Sequence, residues 1–196
     1  MIREKKKKGK IFVISGPSGS GKTTLLERLL KDKGLKKKLA KSISLTTRQR
    51  RSGERSGKHY FFISESELKE RLRAKKILEW TRYLGYYYAT PKGFVERELR
   101  KGKNLALCLD LKGALQIKRI YPKNAVTIFI APPSIEELRQ RIKGRCSKTK
   151  QEEIMGRLEL ASEEMLEARR YDYSLVNEDL TQAQKMLKDI ILREII

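Results

Sequence analysis

The sequence predicts an α/β fold in which helices flank a parallel sheet. Four short, mostly apolar runs have the length and composition of buried strands, and they cover residues 11–15, 105–109, 126–130 and 173–176. Segments with helical spacing of apolar residues separate these runs, and strands that alternate with helices form parallel sheets. A glycine-rich turn between the first strand-like run and the first helical segment favours the same architecture.

The first strand leads directly into a complete phosphate-binding loop. Residues 16–23 read GPSGSGKT, and the leucines that follow repeat at helical spacing. Backbone N–H groups of such a P-loop, together with the positive end of the next helix, bind phosphate oxygens. Lys22 can reach the β- and γ-phosphates of a nucleoside triphosphate, and the Thr23 hydroxyl can bind Mg²⁺. The predicted triphosphate site comprises Gly16, Pro17, Ser18, Gly19, Ser20, Gly21, Lys22, Thr23 and Thr24.

Later helices are marked by their capping residues and by their apolar spacing. Ser64 and Ser134 each lie three residues before a glutamate, which is the pattern of a capping box at a helix start. Two further helices fit residues 151–169 and 180–196.

Two polar, basic stretches interrupt this alternation of strands and helices. Residues 42–102 also contain many aromatic side chains and are numerous enough for a small inserted lobe, whereas residues 139–150 fit a short cationic lid. Phosphoryl transfer requires that water be excluded after both substrates bind, and mobile pieces of this kind serve that purpose. We therefore predict one domain over residues 9–196, carrying this lobe and lid, after a basic tail of residues 1–8.

Composition limits the class of protein. The chain has 196 residues, of which 39% are hydrophobic, and its longest apolar stretch, residues 125–131, is too short to span a bilayer. No secretory leader is visible, and two cysteines are too few for a disulfide framework. We expect a cytoplasmic protein without membrane contact.

The net charge of +22 permits two kinds of partner, a nucleic acid or small phosphorylated molecules. Acidic residues are interleaved with basic ones over 65–76, 96–103 and 152–170, which indicates solvated helix faces rather than one continuous binding stripe. A nucleic-acid-dependent ATPase usually carries a catalytic glutamate directly after the strand aspartate, but Leu111 follows Asp110 here. We expect no requirement for nucleic acid.

A second group of motifs suits an acceptor phosphate. Arg48 and Arg51 lie three residues apart in TTRQRRSGE and can converge on one phosphate, while Gly53 permits a tight turn. Alone, such an arginine-rich loop is usually solvated. The pattern continues, however, with GKHYFF at 57–62, EW at 79–80 and GYYYAT at 85–90.

With D-x-x-G at 110–113 and Val176-Asn177, this combination resembles the guanylate kinase family from Gly9 onward. The resemblance implies transfer of the γ-phosphoryl group of ATP to GMP, giving ADP and GDP, by an Mg²⁺-assisted in-line reaction. It implies that Arg48, Arg51, Tyr60 and Tyr88 bind the GMP phosphate and that Ser44, Glu79, Thr90 and Asp110 surround the guanine. It also implies that Asn177 lies near the adenine. The catalytic groups it implies are Lys22, Arg48, Arg141, Arg145 and Arg157.

The chemistry of guanine supports the role of Glu79 independently. Guanine presents N1–H and the 2-amino group, two adjacent donors that one carboxylate can accept together, whereas adenine has an acceptor at N1. Without the surrounding motifs, Glu79 would be interpreted as a surface salt-bridge residue at a helix end.

Some features depart from the family pattern or leave alternatives open. Cys108 stands where many relatives carry an aspartate, which removes an acidic group near the metal, and we interpret it as a small hydrophobe in a buried strand. His59 is interpreted as incidental, and Trp80 and Tyr86 as core or rim packing. A non-catalytic binding module of this fold would have a degraded P-loop, whereas the P-loop of this chain is intact. Phosphorylation of a small acceptor other than GMP remains an alternative. The sequence predicts no oligomeric state.

Overall fold

The structure, a computed structural model, describes residues 8–144 and 151–195, without the side chains of residues 152 and 153. Arg145 and the rest of the predicted lid beyond Gly144 lie outside the described residues, as do residues 1–7 of the predicted tail. No helix in the described ranges is both long enough and apolar enough to cross a membrane.

Strands and helices alternate along most of the described chain. The strands are β1 (Ile11–Ser15), β2 (Leu39–Lys41), β3 (Leu45–Thr46), β4 (Phe61–Phe62), β5 (Ile77–Tyr83), β6 (Tyr86–Pro91), β7 (Asn104–Cys108), β8 (Ala125–Ala131) and β9 (Tyr173–Val176). The helices are α1 (Lys22–Lys31), α2 (Glu65–Arg73), α3 (Lys92–Arg100), α4 (Leu111–Ile120), α5 (Ile135–Gly144), α6 (Gln151–Leu166) and α7 (Leu180–Ile195).

Five of these strands form the predicted parallel sheet, in the order β2-β7-β1-β8-β9. Both faces of the central strand β1 are buried. Phe12 and Ile14 pack with Leu26 and Leu187 of α1 and α7. The opposite face packs against α3 and α4 through a second cluster that includes Ile11, Val13, Val95, Leu99 and Ile117. The α/β fold with helices on both faces of a parallel sheet is therefore confirmed.

The inserted segment forms a second, smaller sheet. Its order is β4-β3-β6-β5, and the pairs β3–β6 and β5–β6 are antiparallel. Leu45, Leu68 and Ala89 form its small core. The helix α3 follows this sheet but packs on the larger one through Val95 and Leu99. The exact boundaries of the lobe stay a prediction.

The helix starts agree with the capping boxes. Ser64 Oγ accepts a hydrogen bond from the Glu67 N–H at 3.1 Å, and Ser134 Oγ accepts one from the Glu137 N–H at 3.1 Å. The helix predicted over 151–169 is shorter than expected, because a 3₁₀ turn covers Glu167–Arg170. The ion pair between Arg170 and Glu167, at 2.6 Å, joins residues three apart, which face each other in 3₁₀ geometry.

Candidate active site

One cavity of about 970 Å³ lies where β1 and β7 end and extends into the smaller sheet. Ligand sites in open parallel sheets lie at this carboxyl edge of the strands. The predicted residues that line the cavity are Gly16, Ser18, Gly19, Gly21, Lys22, Thr23, Thr24, Ser44, Arg48, Arg51, Tyr60, Glu79, Tyr88, Asp110 and Arg157. Predicted residues from distant parts of the chain are therefore brought together around one space.

The P-loop has the backbone shape that phosphate binding requires. Gly21 has φ +94°, in the left-handed region, and a Cβ there would overlap the amide of Asn177. The helix α1 begins directly after it and receives no side-chain cap from Gly21. An uncapped helix N-terminus presents N–H groups and the positive end of the helix dipole to an anion.

Two cations contact this loop from the cavity side. The Lys22 ammonium donates to the carbonyl oxygens of Gly16 and Pro17, at 2.5 and 2.7 Å. Arg157, on α6, donates to Ser18 Oγ at 2.9 Å. The loop mouth is therefore lined by positive charge from two separate elements.

Two other predicted residues lie behind the loop, where they do not line the cavity. Asn177 is buried, and its side-chain N–H donates to the Ser20 carbonyl at 2.8 Å. Arg141, on α5, donates to the Asn177 carbonyl at 3.1 Å and pairs with Glu137 at 3.0 Å. In this structure Asn177 contacts the loop directly, and Arg141 contacts the backbone of Asn177.

The two predicted acceptor-site arginines meet at Glu54. Arg48 is only 8% exposed, and one of its terminal nitrogens contacts both Glu54 oxygens at 2.8 and 3.1 Å. The other terminal nitrogen donates to the Gln49 carbonyl at 2.6 Å. Glu54 Oε2 also accepts the backbone N–H of Arg51 at 2.8 Å. Sequence reasoning placed Glu54 in a motif but assigned it no role.

Aromatic rings enclose the same arginine. Its guanidinium lies over the Tyr60 ring, 5.6 Å from the centroid, and the Tyr60 and Tyr88 rings meet edge to face at 5.8 Å. Burial raises the pKa of Tyr60 to about 12, so its hydroxyl keeps its proton and can donate a hydrogen bond. Tyr60 and Tyr88 both line the cavity.

Glu79 lies in strand β5 with its side chain buried, which excludes the surface salt bridge at a helix end. It is 3% exposed, and Thr90 Oγ1 donates to its Oε1 at 2.5 Å. Its Oε2 has no hydrogen-bond partner within the described part of the chain. A Cβ on Gly113 would approach Oε2 to 2.8 Å, so glycine at that position keeps space beside this oxygen.

The environment of Glu79 also changes its protonation. Burial raises the pKa of Glu79 to about 7, against the lowering effect of the Thr90 hydrogen bond. Asp110 caps α4 by accepting the Gly113 N–H at 2.8 Å, and its charge adds to the increase. Two adjacent donors from a ligand would therefore favour the ionised carboxylate.

Glu164 is a buried carboxyl group in the cavity that sequence reasoning missed. It lies on α6, is 9% exposed, and its Oε2 has no hydrogen-bond partner among the described residues. Burial raises the pKa of Glu164 to about 7, although the Lys22 charge opposes the increase. The prediction of a solvated face over 152–170 is therefore wrong for this residue. Its spacing of seven from Arg157, which puts both on one helix face, could have indicated it.

Three of the remaining singled-out residues, Cys108, His59 and Tyr86, also line the cavity. Cys108, at the end of β7, packs against the main core, and burial raises the pKa of its thiol, so it stays neutral. His59 Nδ1 accepts the Arg55 N–H at 2.9 Å. Trp80 and Tyr86 are 43% and 45% exposed, which places them at the rim rather than in the core.

Comparisons with known proteins agree on one family. The family model described as "Guanylate kinase" matches residues 8–194. The guanylate kinase of Caldanaerobacter subterraneus subsp. tengcongensis is 45% identical over 190 residues, covering 96% of this chain and 89% of the relative. That of Thermotoga maritima is 41% identical over 187 residues, covering 95% and 88%. The crystal structure of guanylate kinase from Anaplasma phagocytophilum superposes with a TM-score of 0.81 at 32% identity, covering 97% of this chain and 88% of that one.

Proposed function

This chain belongs to the guanylate kinase family, and from that membership we propose how its residues bring ATP and GMP together. It is a nucleoside monophosphate kinase, which transfers the γ-phosphoryl group of ATP to GMP and gives ADP and GDP. The observation that carries the choice of acceptor is the buried Glu79 carboxylate, whose Oε2 lacks a partner in the described part of the chain.

ATP binds with its phosphates on the P-loop. Backbone N–H groups of the loop after Pro17, over residues 18–24, surround the β-phosphate. Lys22 leaves the Gly16 and Pro17 carbonyl oxygens to contact the β- and γ-oxygens. Arg157 contacts Ser18 in the loop, so its guanidinium also lies near the phosphates and helps to neutralise their negative charge. Asn177 acts on ATP through the loop that it contacts, and Arg141 helps to hold Asn177 in place. The role of Arg145 concerns a residue outside the described ranges and rests on the resemblance alone.

The residues at the loop suit a magnesium ion. Thr23 lines the cavity at the first turn of α1 and offers a hydroxyl oxygen. The described residues contain no cluster of three or more acidic, histidine or cysteine side chains that could hold a metal. Mg²⁺ accepts such a site readily, because it is commonly bound by one or two protein groups with phosphate oxygens and water. When bound, it neutralises charge on the β- and γ-oxygens.

The GMP phosphate binds opposite, against Arg48 and Arg51. Tyr60 and Tyr88 donate hydrogen bonds to it from their hydroxyl groups, and the Tyr60 hydroxyl stays protonated at neutral pH. A phosphate oxygen of GMP then attacks the γ-phosphorus while the bond to the β–γ bridging oxygen breaks, and ADP takes that oxygen with its electron pair. The positive residues on both sides hold the two phosphates in line and need no general base.

Guanine occupies the space beside Glu79. The carboxylate accepts hydrogen bonds from N1–H and from the 2-amino group of guanine. The hydrogen bond from Thr90 to Oε1 holds the carboxylate in place. Ser44 and Asp110 line the same space and complete the base pocket. Adenine would direct its N1 lone pair at the carboxylate and leave one oxygen without a donor, and mismatches of this kind exclude a ligand by roughly 10⁴-fold or more.

A coupled assay of ADP production with GMP, dGMP, AMP and UMP as acceptors tests this proposal. We expect turnover with GMP and little with AMP or UMP, without any added nucleic acid. Comparable turnover with AMP would contradict the assignment of guanine to Glu79. ATP consumption that depends on nucleic acid instead of a nucleotide acceptor would contradict the whole proposal.

A further inference from the structure

Glu54 touches both arginines of the proposed acceptor phosphate site. Its two oxygens lie 2.8 and 3.1 Å from a terminal nitrogen of Arg48, and Oε2 also accepts the Arg51 N–H at 2.8 Å. The pair is shielded from water, with side-chain exposures of 8% for Arg48 and 19% for Glu54. One carboxylate therefore fixes both the direction of the Arg48 side chain and the backbone turn that carries Arg51.

Both groups are charged in this arrangement. Burial favours the neutral carboxyl form, but the hydrogen bonds from Arg48 and from the Arg51 N–H outweigh it, so the pKa of Glu54 is lowered. Burial also opposes the charge on Arg48, yet Glu54 and Tyr88 outweigh it, so the pKa of Arg48 is raised. A full negative charge thus lies beside the place where a dianionic phosphate must bind.

That charge leaves Arg48 able to bind a phosphate. A guanidinium has five N–H donors, and the contacts of Arg48 with Glu54 and Gln49 use at most three of them. Repulsion between Glu54 and the phosphate would weaken binding by itself. Holding the arginine in one geometry strengthens binding, because the conformational freedom of a long side chain is lost before the ligand arrives.

We propose that Glu54 is a positioning residue of the acceptor site, which holds Arg48 and the Arg51 turn in the geometry that captures the phosphate of GMP. The inference rests on the proposed function, in which those two arginines bind that phosphate. It has a distinctive consequence: removing the negative charge of Glu54 weakens the binding of an anion, although simple electrostatics demands the opposite.

The test compares GMP with guanosine, which has the same base and ribose but no phosphate. In Glu54→Gln one acceptor oxygen is retained, and the amide nitrogen cannot accept the second contact. We expect calorimetric titration to show GMP affinity lower by roughly tenfold, equivalent to the loss of one charge-assisted contact, with guanosine and ATP affinities unchanged. The KM for GMP should increase in the same proportion, and kcat should change less than the KM.

Glu67→Gln is the matched control. Glu67 pairs with Arg71 at 2.7 Å on α2 of the same lobe, but this pair is 42% and 38% exposed and does not line the cavity. Its GMP and guanosine affinities should equal those of the wild type. A Glu54→Asp variant retains the charge and shortens the reach, so it should also weaken GMP binding selectively. It provides the test if Glu54→Gln does not fold.

Each outcome bears on one assignment. Unchanged or tighter GMP binding in both Glu54 variants would overturn the positioning role. So would equal losses for GMP and guanosine, since these would indicate damage to the lobe as a whole. Arg48→Ala separates this inference from the proposed function: if it leaves GMP binding intact, the arginines do not bind the phosphate at all. If Arg48→Ala weakens GMP binding and Glu54→Gln does not, only the role of Glu54 fails.

Discussion

The P-loop at residues 16–23 (the donor loop) and the inserted lobe at residues 42–102 (the acceptor lobe) both suit a phosphate. They differ in whether backbone or side-chain groups contact it. The donor loop uses backbone N–H groups of consecutive residues, with glycine at Gly21 because no side chain fits beside Asn177. The acceptor lobe uses side chains from its small sheet and adjoining loop, including Arg48, Tyr60 and Tyr88. A backbone cradle binds any nucleotide's phosphates, whereas side chains on a separate sheet can also be combined with a residue that reads the base, which is the role we propose for Glu79.

The two sites also hold their cations differently. In the donor loop Lys22 rests on the carbonyl oxygens of Gly16 and Pro17, which are neutral groups that a triphosphate can replace. In the acceptor lobe Arg48 is held by the Glu54 carboxylate, a stronger partner. We infer that Arg48 stays where Glu54 places it when GMP binds.

The largest expected effect comes from removing the donor-side cation. Lys22→Ala should lower kcat by about 10³-fold or more, because the ammonium group stabilises the charge that develops on the β- and γ-phosphate oxygens in the transition state. Steady-state kinetics would measure this, and thermal unfolding would verify that the fold survives. Lys31→Ala, at the exposed end of the same helix, is the control and should retain full activity. Turnover of the Lys22 variant within a few-fold of wild type would remove the loop from the mechanism.

The next largest effect concerns selectivity in the acceptor lobe. Glu79→Gln should reduce kcat/KM for GMP by about 10²-fold or more and bring the values for GMP and AMP closer together, since an amide both donates and accepts. The KM for ATP is an internal control and should be unchanged. If the ratio of kcat/KM for GMP over AMP is the same in wild type and variant, other residues read the guanine.

A smaller effect would separate the two arginines. Arg48→Lys should weaken GMP binding by roughly 10- to 100-fold, because a lysine has no planar fork for Glu54 and the phosphate together. Arg51→Lys should have less effect, since Glu54 contacts its backbone N–H, which lysine retains. Calorimetry with GMP and ATP measures both, and Arg71→Lys on α2 is the control. Equal losses of ATP affinity would contradict the division into donor and acceptor sites.

The smallest effect is on the stability of the ligand-free protein. The pKa of Glu79 and that of Glu164 are each raised to about 7 by burial, from an ordinary value of 4.5. Between these values the folded state holds more protons than the unfolded state, so the free energy of unfolding should decrease as the pH increases from 4.5 to 7. The pKa of Glu98 is lowered to about 2 by its lysine and arginine contacts. Glu98 therefore changes the pH dependence of the free energy of unfolding only below pH 4.5.

Urea denaturation at pH 5 and pH 8 measures this decrease. In each of the variants Glu79→Gln and Glu164→Gln, the decrease in the free energy of unfolding between these pH values should be smaller by on the order of 1–3 kcal/mol, because the amide has no charge to bury. An equal pH dependence in wild type and both variants would show that neither carboxyl group is desolvated as the cavity suggests.

Most of the donor site and the order of the core could be predicted from the sequence. Consecutive residues with a strand before them and a helix after them define the P-loop without any tertiary information. The edge strand β2 was not predicted, since its three residues are too few to show a period. Glu164 was missed because its burial depends on how α6 lies beside the cavity, and mixed charges along a helix normally indicate solvent. Glu79 was predicted from its motif, whereas the lack of a hydrogen-bond partner for its Oε2 among the described residues became visible only in the fold.

The contact between Asn177 and Ser20 has a consequence for the order in which the molecule is assembled. It joins positions 157 residues apart, so the P-loop leaves the ribosome well before the side chain that supports it is synthesised. Such distant contacts form slowly, and chain growth delays this one further. A nascent chain that stops before β9 would carry every residue of the P-loop without this support. We therefore expect the supported form of the P-loop to arise only after β9 has been synthesised.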